Sequence, residues 1–134
     1  MVGSVSTFLM FEGVAEEAMK FYASVFECCE IQEIQRYGPG EAGTEGLLKG
    51  GRFTLHGQQF VCFDSPVKHA FSFTPSISIF VELETEGELE EAFTKLSANG
   101  KIHMPMGRYG FSEKFAWVSD RFGVAWALNL ARRP

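Results

Sequence analysis

The order strand, helix, strand, strand, strand occurs twice in this chain, and that duplication limits its possible folds more than any single motif does. Thr7 to Phe11 reads as a strand, and after Gly13 the residues Ala15, Ala18, Met19, Tyr22, Val25 and Phe26 recur at the spacing of one buried helix face. Three strand-like runs follow, Ile31 to Tyr37, Leu47 to Leu55 and Gln59 to Asp64, with His56 and Gly57 as a hairpin turn. The pattern restarts at Ser76 to Leu83, a run with aliphatic odd positions and mostly polar even ones. Thr85 and Glu88 form a capping-box pair ahead of the stripe Leu89, Ala92, Phe93 and Leu96, and Asn99 with Gly100 closes that helix. Lys101 to Met106, Phe115 to Ser119 and Val124 to Leu130 complete the second set, with Asp120 to Gly123 turning the last hairpin.

Residues 5–64 and 76–130 therefore share one element order at similar length, although their sequences hardly match. The expectation is an α+β fold of two βαβββ modules in a single domain spanning residues 1–134. Each module alone leaves a helix stripe and a sheet face to be covered, which leads to an expectation of a homodimer or of packing between the modules. The hydrophobic content of 46% over 134 residues suffices for a core without crosslinks.

Charge and cysteine usage narrow the partners. A net charge of -5 gives no footprint for a phosphate backbone, and the basic pair Arg132 and Arg133 is too short for a nucleic-acid or membrane arm. Met1 to Met10 has no basic segment ahead of an apolar run, and no stretch approaches the ~20 apolar residues of a membrane span. Three cysteines, two of them the adjacent Cys28 and Cys29, suit reduced thiols in a cytoplasm. A small-molecule ligand is the remaining partner, with neither nucleic acid nor membrane.

Two motifs fail on inspection. Gly38, Gly40 and Gly43 satisfy G-x-G-x-x-G after a strand, but further glycines follow where a dinucleotide site needs a helix N-terminus, and Glu41 repels phosphate. The same failure removes support for an S-adenosylmethionine-dependent methyltransferase. His56, His69 and His103 fall in a turn, a loop and a strand, with no ligand spacing between them, and no nucleophile elbow surrounds any serine. The expectation is accordingly no cofactor, with a divalent metal as the alternative and no assigned catalytic residue.

Aromatic residues on strands are the stronger signal. Phe8, Phe53, Phe60, Trp117 and Trp126 are candidates for a ligand pocket, since a sheet covered by helices on one side leaves a second face to line a cavity. Arg36, Asp64, His69, Arg108 and Tyr109 are the polar candidates.

Taken jointly, four stretches resemble the PhnB-like branch of the vicinal oxygen chelate superfamily, which contains glyoxalases, bleomycin-resistance proteins and extradiol dioxygenases. They are Phe8-Leu9-Met10-Phe11 running on to Phe21-Tyr22 and Phe26, Arg36-Tyr37-Gly38, Asp64-Ser65-Pro66, and Trp117 through Gly123. The resemblance implies paired modules forming a cupped, mixed and antiparallel eight-stranded sheet around a pocket, commonly in a homodimer, and in many relatives a divalent metal. It would place the ligands near Thr7, Phe63 or Asp64, Ser76 and Ala127, where Asp64 alone can coordinate. The reading that follows is metal-free binding or sequestration of a small, partly aromatic ligand, or an uncharacterised enzyme. The alternative is a metal-dependent lyase or isomerase drawing on Asp64 and His69; a ubiquinone-pathway methyltransferase, a name that some relatives carry, has no nucleotide-binding motif here to support it.

Overall fold

In the computed structural model of the chain, residues 1–132 are described, and Arg133 of the basic pair lies outside them. They divide into two compact units, one ending at Ala70 and one beginning at Phe71. The elements of the first are β1 (Thr7–Phe11), α1 (Ala15–Val25), β2 (Cys29–Arg36), β3 (Leu48–Leu55) and β4 (Gln58–Asp64). Those of the second are β5 (Ile79–Leu83), α2 (Glu86–Ser97), β6 (Lys101–Tyr109), β7 (Ser112–Ser119) and β8 (Ala125–Leu130). The repeat read from the sequence is thus present, with eight strands hydrogen-bonded as two four-stranded sheets, β1-β4-β3-β2 and β5-β8-β7-β6.

Each sheet is mixed for the same reason. The first strand of a module crosses over through its helix, and the last strand returns beside it in parallel, so β1 pairs with β4 and β5 with β8, while the hairpins are antiparallel. His56 and Gly57 both take positive φ (50° and 83°), as a two-residue hairpin turn requires.

In the first unit, alternation sends Leu9, Phe11, Phe53, Leu55, Phe60 and Cys62 to one face of the sheet, all buried, together with Ala15, Ala18, Met19 and Tyr22 of α1. The helix lies close: a Cβ on Gly51 would stand 2.9 Å from Met19 Cε. No side chain within α1 caps its start, where Val14 is the cap residue. Asp64 does so from the far end of the module, its Oδ1 accepting from Gly13 N at 2.8 Å and Ala15 N at 2.9 Å and its Oδ2 from Leu48 N at 2.9 Å.

In the second unit, Leu83, Ala116, Val118, Trp126 and Leu128 are buried on one face, as are Leu89, Ala92 and Leu96 of α2. Thr85 caps α2 by accepting from Glu88 N at 3.2 Å while its hydroxyl donates to the Glu88 carboxylate at 2.8 Å. Asp120 holds the last turn, Oδ1 accepting from Phe122 N and Val124 N and Oδ2 from Trp126 Nε1 at 2.9 Å.

Three element bounds depart from the sequence reading by three residues each. β5 starts at Ile79 rather than Ser76, because residues 76–78 are used in a turn in which Ile77 N donates to Thr74 O and Ser78 Oγ to Pro75 O. β6 runs on through Pro105 to Tyr109, which is possible because it is an edge strand with several register shifts. β7 accordingly begins at Ser112.

Candidate functional site

The face of the second sheet that α2 does not cover is built from the other half of the alternation. Phe80, Ala127 and Trp117 stand in line across β5, β8 and β7, and Met104 continues that line onto β6. Between Ile102 and Met104 the strand carries an extra residue opposite Val118 and Trp117. That residue is His103, and the bulge brings its ring against Trp117, with centroids 4.9 Å apart, and its Nε2 to 2.7 Å from Ser119 Oγ. Trp117 Nε1 donates to Ser78 Oγ at 2.9 Å. His103, Trp117, Ser78 and Ser119 are all half-buried, whereas Phe80 is 58% exposed.

Farther along the same unit, an open groove of about 1010 Å³ includes Glu82, Arg108, Tyr109, Phe111, Ser112 and Asn129 among its lining residues. Tyr109 and Phe111 stack at 5.7 Å, and Phe111 meets Phe115 edge-on at 4.9 Å. Tyr109 Oη donates to Pro105 O at 2.6 Å, Asn129 Nδ2 to Glu82 Oε2 at 3.2 Å, and the Ser112 hydroxyl to Asn129 Oδ1. Arg108 and Tyr109 therefore share a groove, and Trp117 belongs to the cluster around His103.

The remaining candidates are dispersed. Phe8, 62% exposed, lies with Phe63 at 5.2 Å on the face of the first sheet away from α1. Phe53 and Phe60 stack at 4.8 Å on the opposite face, where Phe53 meets Tyr22 of α1, so alternation puts both in the helix-facing core. Trp126 is likewise fully buried, its N–H taken by Asp120. Arg36 is drawn to α1 by Glu16, Nη2 to Oε2 2.7 Å, and with Lys20 it holds the Glu16 carboxyl below its usual range. His69 Nε2 lies 2.8 Å from Ser65 Oγ in the loop after β4. Reading by residue type missed His103, Ser119 and Ser78. Ser78 was legible as an even position of the alternating run, whereas His103 depended on a bulge that has no composition signal.

A chelated metal does not fit this donor set. Both Asp64 oxygens are committed to three backbone amides, and His69 is engaged by Ser65. Among the described residues no three His, Cys, Asp or Glu side chains are grouped to hold an ion. The pairing of Asp64 with His69 as ligands is therefore corrected: the carboxylate faces the start of α1 and β3. Nor does the G-x-G-x-x-G spacing fit a nucleotide. It lies between β2 and β3 and leads into a strand, and Glu41 of that loop accepts from Gly38 N and pairs with Lys49.

The family model described as 3-demethylubiquinone-9 3-methyltransferase matches residues 3–129. A PhnB protein from Bacillus cereus is 52% identical, with a TM-score of 0.93 and coverage of 96% of this chain and 99% of that one. The chain belongs to this family, alongside that PhnB protein. Two more distant structures share the PhnB-like fold. A fosfomycin resistance protein, FosX, from Listeria monocytogenes is 13% identical at a TM-score of 0.65, covering 98% of this chain and 95% of that one. A glyoxylase/bleomycin resistance protein/dioxygenase domain from Frankia is 13% identical at 0.67, covering 98% and 99%. No curated protein matches this PhnB-like chain. No helix among its described residues is long and apolar enough to cross a membrane.

Proposed function

We propose that this PhnB-like protein binds a small, partly aromatic molecule on the sheet face that α2 leaves uncovered, without a resident divalent metal. The observation carrying this reading is the cluster of His103, Trp117, Ser78 and Ser119, in which a half-buried indole is fixed in place by its own N–H bond. A ring locked in one orientation offers a flat apolar surface at little entropic cost on binding. Covering a ligand ring of similar size contributes roughly 2 kcal/mol. The groove holding Arg108, Tyr109 and Phe111 adds polar and aromatic surface in the same unit.

Two tryptophans make the test direct, since Trp117 is half-buried and Trp126 fully buried. Aromatic compounds that bind change the emission of the wild type and not that of Trp117→Phe. A screen in which no compound distinguishes the two proteins overturns the reading, as does one ion per chain by elemental analysis. A homodimer is part of the same proposal, supported by the exposed Phe8 and Phe80 on first strands of the two modules. Light scattering then gives twice the chain mass of 15.0 kDa.

A further inference from the structure

His103 is held through one ring nitrogen. With the Ser119 hydroxyl donating to Nε2, 2.7 Å away, the ring hydrogen sits on Nδ1. Nδ1 itself has no partner among those residues. The other donors of the cluster are committed: Trp117 Nε1 to Ser78 Oγ, and the Ser78 hydroxyl to Pro75 O at 3.0 Å. In that tautomer one N–H remains available beside the Trp117 ring.

Lys101 lies on the same strand, two residues before His103, and pairs in register with Ser119. Asp120, next to Ser119, is buried, and its two oxygens accept from Phe122, Val124 and Trp126.

We propose that the site takes a planar oxyanion, an aryl carboxylate, whose ring lies on Trp117 and whose carboxylate accepts the hydrogen on His103 Nδ1. The inference rests on the small-molecule reading above and names its ligand class. A carboxylate accepting from Nδ1–H makes a charge-assisted bond, which a neutral or cationic ring cannot do.

Three probes of one ring size decide it: benzoate, benzamide and benzylammonium, titrated into labelled protein with the two indole N–H signals followed by NMR. Benzoate is expected to move the Trp117 signal and not that of Trp126, and to bind about tenfold more tightly than benzylammonium. His103→Phe, which keeps a ring and removes the donor, is expected to cost benzoate about tenfold and benzylammonium nothing. If the three probes bind alike, the aromatic site stands and the oxyanion assignment falls. If none moves Trp117, the ligand face itself falls. Should His103→Phe fail to give a folded spectrum, the ranking of the three probes on the wild type decides alone.

Discussion

The indole nitrogen of Trp126 donates to Asp120 Oδ2 at 2.9 Å, both residues being buried. The same carboxylate accepts two backbone amides of the turn before β8, so one side chain satisfies three donors. Asp120→Ala is expected to lower the unfolding free energy by about 3 kcal/mol, since buried donors are left without a partner. Urea denaturation followed by circular dichroism measures this, and an unchanged midpoint would remove Asp120 from the stabilising network.

Asp64→Asn separates a structural carboxylate from a chelating one. Losing the charge and one acceptor oxygen weakens the grip on Gly13, Ala15 and Leu48, with an expected cost of about 2 kcal/mol. Nickel and zinc titrations of wild type and variant are expected to coincide. A metal affinity that disappears with the variant would mean that Asp64 leaves its amides to coordinate.

The loop between β2 and β3 carries its own test. A Cβ on Gly43 would stand 2.2 Å from Tyr37 Cε2, and Tyr37 cannot easily yield because it is buried and its hydroxyl donates to Asp64 O at 3.0 Å. Gly43→Ala is expected to destabilise by about 2 kcal/mol through overpacking, read as a lowered thermal midpoint. Gly40→Ala places a Cβ in open space but at φ 77°, so its smaller penalty would come from backbone strain.

The three thiols differ in reactivity. Burial pushes the Cys29 thiol up to about 11 and the Cys62 thiol up to about 12, while Cys28 is exposed. At pH 8 iodoacetamide is expected to modify one thiol per native chain and three in denaturant, counted by mass spectrometry. As pH rises above the ordinary thiol value of 9.0, the unfolded chain sheds protons that the native chain keeps, so stability falls from there through about 12. Rapid native labelling of two or three thiols would contradict the burial.

Much of the fold was legible because helical stripes and strand alternation repeat in the same order, and Thr85 with Glu88 announces α2 locally. The start of α1 was not legible in the same way. Its cap comes from Asp64, some fifty residues away, and Asp64 read as a possible ligand because a carboxylate at a strand end carries no mark of what it faces. Phe53, Phe60 and Trp126 illustrate a related limit: alternation says that a strand has two faces, and the helix decides which one it covers. Trp117 lies on the face left over, and its histidine neighbour arrives through a bulge that pattern reading assigns to no face.

Closing the first turn of α1 with Asp64 also has a kinetic side. The amides of Gly13 and Ala15 wait for a residue 51 and 49 positions later, and that residue simultaneously fastens Leu48 at the start of β3. Local contacts alone leave the helix start loose until the final strand of its module docks beside β1, so the stitch forms only after a long loop has closed. A nascent chain that ends before Asp64 would carry a frayed α1, and the whole module would gain its rigidity in one late, cooperative event.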